Sequence, residues 1–235
     1  MPAYSDSVED TDDDLNRATE SLNNKFCPKC IIKAVFDNGN FLEINKGFCE
    51  EVMTGIGRIG GMSVAAIVFG GDKKGIELNF ANVQKTTYFA TYAAENGLPL
   101  ITFVNTLGIK NDLNENNSTI LKEINKLIIA LRANERLAVV YGKAIGLGYT
   151  LFASKGLGVS YSYAFANAEI GLFDGAVSAA AFGEVKEEKL AELETRYSEE
   201  NADPINAAKN GYIDNIIEPQ FARAYIISAL QTMVR

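Results

Sequence analysis

Short apolar runs of strand type alternate along this chain with longer stretches of helical period, and that rhythm predicts an α/β fold. Residues 31–36 and 41–44 predict two strands joined by Asp37-Asn38-Gly39-Asn40, a composition typical of a hairpin turn. Residues 52–59 and 62–69 predict a second strand pair, 80–96 a helix and 100–105 a buried strand. In residues 119–134, Ile120, Leu121, Ile124, Leu127, Ile128 and Leu131 recur at helical spacing and lay one face on the sheet. Residues 137–141 read as the next strand, followed by a short glycine-led helix, and 159–163 and 168–172 as two more short strands. A charged, exposed helix is expected over 184–200, and Asn210-Gly211 separates a short helix from a strand at 212–217. Pro219 opens a terminal helix with Ala222, Ile226, Ala229, Leu230 and Met233 on one face. Short connections between alternating strands and helices imply a mostly parallel sheet. No internal repeat or linker is visible after about residue 25, so residues 26–235 read as a single domain. Asp6, Glu9, Asp10, Asp12, Asp13 and Asp14 make residues 1–25 an acidic leader, expected to be solvated and disordered.

With 235 residues, 47% of them hydrophobic, the chain can bury a substantial core. No apolar run reaches the ~18 residues of a membrane span, and the start lacks a basic-then-apolar signal pattern. A cytoplasmic protein without direct membrane insertion is the expectation. The net charge of −8 comes with no basic stripe, which argues against a nucleic-acid partner. Histidine is absent, which excludes Ser-His-Asp and Cys-His nucleophile systems and histidine-based metal sites within this chain. Proton transfer is left to carboxylates, lysine, tyrosine, water or the substrate. Cys27-Pro28-Lys29-Cys30 has zinc-knuckle spacing, but no second such pair completes four ligands. Reduced, unliganded thiols and no metal are expected there, with a redox pair or a metal shared between chains as the alternatives.

Two glycine clusters bear on function. Gly55-Ile-Gly57-Arg-Ile-Gly60 is a literal GxGxxG, but it lies between two predicted strands, whereas a dinucleotide site needs a helix after it. The stretch from Leu137 to Lys155 carries Gly142, Gly146 and Gly148 at the opening of its predicted helix. Glycine permits tight turns and close approach, and the first N–H groups of a helix lack partners within it. Such a turn suits a developing oxyanion, or it is simply a strand-to-helix turn whose glycines allow close packing.

Six collinear blocks resemble the biotin-dependent carboxyltransferases of the crotonase superfamily, most closely the C-terminal, biotin-side half of propionyl-CoA carboxylase β-type chains. Phe36-Asp-Asn-Gly-Asn-Phe-Leu-Glu-Ile44 is similar to the family's D-x-G-x-F-x-E. Thr54-Gly-Ile-Gly-Arg-Ile-Gly-Gly61 is similar to T-G-F-G-R-I-G-G, which accounts for the false dinucleotide motif. Gly97-Leu-Pro-Leu-Ile-Thr-Phe-Val104 resembles the strand before the P-G-F loop, and Lys143-Ala-Ile-Gly-Leu-Gly-Tyr149 resembles K-A-Y-G-G-A-Y. Ala168-Glu-Ile170 resembles T-A-E-I, and residues 207–219 resemble A-A-x-x-G-Y-V-D-x-V-I-x-P.

The resemblance implies a crotonase/ClpP-like ββα superhelix with C-terminal helices. It implies carboxyl transfer between biotin, carried on a separate protein, and an acyl thioester held by an acyl-CoA-side half, within an oligomer. By position, the backbone N–H groups of Leu147 and Gly148 would be the oxyanion donors. Gly108, Ile109, Lys143, Gly146 and Tyr149 would line the biotin pocket. The chain departs from the family where Gly-Gly-Ala becomes Gly146-Leu147-Gly148, where P-G becomes Leu107-Gly108, and along residues 119–127 and 173–176. These departures keep open a non-catalytic structural or binding subunit, and the half length keeps open a malonate decarboxylase γ-like subunit. A stand-alone hydratase or thioesterase would need Glu115, Glu123 or Glu169. A Clp-type peptidase needs a histidine and is excluded.

Overall fold

The computed structural model describes residues 11–19, 22, 27–109, 117–173 and 187–233. The elements in chain order are α1 (Pro28–Val35), β1 (Phe41–Ile44), β2 (Val52–Ile59), β3 (Met62–Phe69), β4 (Ile76–Leu78), α2 (Phe80–Glu95), β5 (Leu100–Ile109), α3 (Asn117–Arg132) and β6 (Arg136–Ile145). They continue with α4 (Leu147–Phe152), β7 (Val159–Phe165), β8 (Glu169–Gly171), α5 (Glu187–Asn201), α6 (Pro204–Lys209), β9 (Asn215–Ile217) and α7 (Ala222–Met233). Among the described residues the strands form one sheet of order β1-β2-β3-β5-β6-β7-β9, with β4 added on β5 and β8 on β6. The β1-β2-β3 meander is antiparallel, and every later pairing is parallel.

The continuous apolar runs have a simple cause: both faces of the sheet are covered. Along β3, Ala65, Ile67 and Phe69 face one core with Val83, Phe89, Leu127 and Leu131 of α2 and α3. Their neighbours Val64, Ala66 and Val68 face a second core with Ile31 and Val35 of α1 and Ile226 and Leu230 of α7. β5 and β6 split in the same way, Leu100, Val104, Ala138 and Val140 to the first core and Ile101, Phe103, Leu137 and Val139 to the second.

Residues 31–36 are the main correction to the sequence reading, because residues 31–35 belong to helix α1, with Phe36 as its C-cap, and not to a strand. Six apolar-rich residues fit either period. Here Pro28 opens the helix, and Ile31, Ile32, Ala34 and Val35 fall on its buried face. Asp37-Asn38-Gly39 is therefore a single helical turn between α1 and β1 rather than a hairpin. The buried Asp37 carboxylate accepts the Gly60 and Gly61 N–H groups (both 2.8 Å) and the Arg223 guanidinium (2.7 Å).

Part of the expected leader is packed. Thr19 and Leu22 are buried, and the Thr19 N–H bonds to the Gln220 carbonyl. Asp13 bridges Arg17 (2.9 Å) and the fully buried Arg223 (3.5 Å). Residues 1–10, 20, 21 and 23–25 lie outside the described residues. No helix among the described residues is long and apolar enough to cross a membrane.

Candidate functional site: a glycine-lined turn at a strand switch

β5 and β6 both run past the point where the sequence pattern suggested they stop, and both change partners on the way. β5 pairs with β3 through Phe103 and then with β4 from Thr106, while its pairing with β6 shifts register between Val104 and Thr106. β6 pairs with β7 through Val140 and then with β8 from Lys143. Gly142 thus lies inside a strand and does not open the following helix, a correction to the sequence reading.

Asn105 fixes this switch. Its buried side chain donates to the carbonyls of Gly70 (3.1 Å) and Asp72 (3.0 Å) and accepts the Lys143 N–H (2.9 Å). Gly142 is required by that amide, since a Cβ there would sit 2.2 Å from Asn105 Oδ1. The sequence reading missed Asn105. The available signal was a polar Asn-Thr pair directly after the apolar run 100–104, where a buried strand continues and its polar groups need partners.

Beyond the switch, β6 ends at Ile145, and Gly146 caps α4 at φ 52° and ψ −120°, a conformation natural to glycine. The Gly146 N–H bonds to the Gly171 carbonyl (2.9 Å), tying the turn to β8. Leu147 and Gly148 open α4, so their N–H groups have no acceptor within the helix. Opposite them stands Gly108, at φ 90°. A Cβ on Gly108 would lie 3.4 Å from the Gly148 nitrogen and 3.6 Å from the Leu147 nitrogen. Any other residue at 108 would fill the space before those amides. Thr106 Oγ1 holds this loop by accepting the Gly108 N–H (3.0 Å) while donating to the Ile76 carbonyl (2.8 Å).

The remaining expected residues divide. Ile109 ends β5, half-buried against the apolar core. Gly146 and Tyr149 line an adjoining cleft of about 470 Å³ with Leu172, Tyr197, Asn201 and Tyr212. The Tyr149 hydroxyl donates to the Tyr212 carbonyl (2.7 Å), and burial pushes its pKa up, so it stays protonated. Lys143 is engaged by Glu169 (Nζ to Oε2, 3.2 Å), its register partner on β8. Leu147 is left 45% exposed.

The carboxylates considered for hydration chemistry are spread out. Glu169 pairs with Lys143, Glu123 is buried between α2 and α3 and pairs with Lys126 (2.9 Å), and Glu115 lies outside the described residues. Arg58 is exposed, whereas Lys85 is buried and donates to the Phe48 and Cys49 carbonyls, burial lowering its pKa. Among the described residues, no group of three or more Cys, Asp or Glu is placed to hold a metal ion.

A carboxyl transferase domain model matches residues 2–235. Methylmalonyl-CoA decarboxylase subunit alpha of Veillonella parvula is 29% identical over 231 residues, 94% of this chain and 45% of that protein. The propionyl-CoA carboxylase carboxyltransferase subunit of Haloferax mediterranei is 27% identical over 212 residues, 86% of this chain and 41% of that protein. The crystal structure of transcarboxylase 12S, a hexamer with methylmalonyl-CoA bound, superposes with a TM-score of 0.85 at 24% identity, covering 96% of this chain and 46% of that one. The chain thus spans less than half the length of these relatives. Its two-faced sheet, partner-switching strands and glycine-lined turn are a single-domain crotonase-like arrangement, and the match over residues 2–235 places the chain in the carboxyl transferase domain family.

Proposed function

We propose that this chain is the biotin-side portion of an acyl-CoA carboxyltransferase or decarboxylase. It would move a carboxyl group between biotin and an acyl thioester in concert with an acyl-CoA-side half. The observation that carries the reading is the meeting of the Leu147 and Gly148 amides with Gly108 across a space that a single Cβ would close.

The fit to biotin rests on this chain's own groups. A neutral ureido ring needs N–H donors for its carbonyl oxygen and a shallow apolar wall. The two amides and the space over Gly108 supply the first, and the exposed side chains of Leu172 and Phe173 supply the second. Biotin, when bound, would supply the carboxyl group as an electrophilic CO2 unit, the electron pair of the broken N–C bond staying on the ureido ring. The amides are fixed before anything binds, by Gly146 to Gly171 on one side and by Thr106 to Gly108 on the other. Donors that need no reorganisation stabilise developing negative charge most effectively. Tyr149 is held to a backbone carbonyl and Lys143 to a carboxylate, so both position the turn. A chain without histidine then contributes geometry and electrostatics, not a titrating base.

The partners in this reading are an acyl-CoA-side half and a biotin carrier protein. Supporting it, exposed Leu172 and Tyr212 line the cleft beside the turn, an apolar rim suited to a second protein surface. The test is reconstitution with an acyl-CoA-side half and a biotinylated carrier, followed by carboxyl transfer, in wild type and Gly108→Ala. The methyl should lower kcat at least tenfold while the circular dichroism spectrum is kept. Unchanged turnover in a folded Gly108→Ala complex would remove the oxyanion assignment.

A further inference from the structure

We propose that Cys27 and Cys30 form a redox-active dithiol that exchanges with low-molecular-weight disulfides to give an intramolecular Cys27–Cys30 disulfide. This inference is independent of the carboxyl-transfer reading, and its test does not use that activity.

Local geometry brings the two sulfurs together. Cys27 caps α1 in extended conformation, φ −102° and ψ 116°, with Pro28 fixing the first helical position. The Cys30 and Ile31 N–H groups both bond to the Cys27 carbonyl, at 2.9 and 3.2 Å, so the chain closes in one turn. Residues three apart on a helical turn have Cβ atoms about 5–6 Å apart, and disulfides span Cα separations of roughly 4.4–6.8 Å. The Cys30 thiol lies near enough to Cys27 to lower its pKa. Closing the bridge therefore takes side-chain rotation rather than backbone movement. Both residues are half-exposed, which admits a small reagent.

Cys27 is built as the attacking thiol. Burial pushes its pKa up, but the Cys30 thiol, the Cys30 and Lys29 amides and the Lys29 ammonium together outweigh that and hold it below the ordinary thiol value. Cys49 offers an internal contrast, because burial pushes its pKa up and the Lys85 ammonium only partly offsets the shift. The pair also sits against the strand-switch region. Pro28 packs near Gly70, and Cys27 lies within electrostatic reach of Tyr141, whose hydroxyl contacts Asn105 and the Phe69 carbonyl.

The reaction balances in two steps. The Cys27 thiolate attacks one sulfur of the external disulfide, whose S–S bond breaks and releases one thiolate that takes up a proton. Cys30 then loses its proton and attacks the Cys27 sulfur of the mixed disulfide, releasing the second thiol. The protein dithiol is oxidised by two electrons, and the external disulfide is reduced to two thiols.

The test equilibrates the full chain in reduced and oxidised glutathione mixtures, quenches it and maps the peptides by mass spectrometry. Alkylation rates of the reduced protein are followed in parallel. The expected result is a Cys27–Cys30 disulfide with Cys49 still alkylated, and labelling of Cys27 by iodoacetamide about tenfold faster than Cys49. Cys30→Ser should trap glutathione on Cys27. If that variant does not fold, the wild-type peptide map and labelling rates decide alone. Equal labelling of Cys27 and Cys49, glutathione on both cysteines without an intramolecular bond, or zinc uptake at one ion per two chains would each overturn the proposal.

Discussion

The tie between Asn105 and Gly142 makes a quantitative prediction about how the site is held. Gly142→Ala places a methyl 2.2 Å from Asn105 Oδ1 and 2.6 Å from its Cγ, inside contact distance of a buried side chain hemmed in by backbone. The amide must swing away and give up its bonds to Gly70, Asp72 and Lys143. Three hydrogen bonds at about 0.5–1.5 kcal/mol each put the cost near 2–4 kcal/mol. Asn105→Ala loses the same three bonds and has a similar cost. Because the methyl introduced by Gly142→Ala occupies space the shortened side chain vacates, the double variant should cost little more than either single one. The expected coupling is roughly 2 kcal/mol. Urea unfolding followed by far-ultraviolet circular dichroism measures it directly, the chain having no tryptophan to report by fluorescence. Additivity within about 0.5 kcal/mol, or a Gly142→Ala cost below about 1 kcal/mol, would refute the account of this switch.

Arg223→Met should destabilise the chain by about 3–5 kcal/mol in the same assay, since it leaves Asp37 and Asp13 buried without their shared cation. Leu147→Ala should change stability by less than about 0.5 kcal/mol and leave carboxyl transfer at or above the wild-type rate, because the side chain points to solvent. Burial raises the Asp13 pKa, but the Asn38 N–H, Arg17 and Arg223 lower it further, leaving it below 3.8. A depressed carboxylate adds stability above its unfolded pKa that is lost as pH falls through the folded value. Acid unfolding should therefore steepen below about pH 4, and Asp13→Asn should flatten that part of the curve. An unchanged acid limb in Asp13→Asn would remove Asp13 from the stabilising network.

Patterning located elements where packing imposes one period over a long window. β2 and β3 begin and end where their apolar runs do, and α2 and α3 fall within two residues of their expected limits. The false dinucleotide motif was legible too, because Gly60 and Gly61 turn a hairpin between two strands. Where the window was short the pattern failed. Residues 31–36 satisfy both periods, and only burial against α7 and the meander selects the helix. β5 and β6 were truncated because Asn105, Thr106, Gly142 and Lys143 look like strand ends, although their polar groups are satisfied by one another and by distant backbone.

The amino-acid sequence alone determined the alternation of elements, the absence of histidine and the glycines at 108, 146 and 148, since these follow from residue type and spacing. Only the tertiary structure decided that Gly108 faces the Leu147 and Gly148 amides, because that meeting depends on two parallel strands changing partners at one level. It also decided that Lys143 is committed to Glu169 and that Leu147 stays exposed. Local sequence sets which backbone conformations are available, and long-range pairing sets what those backbones face.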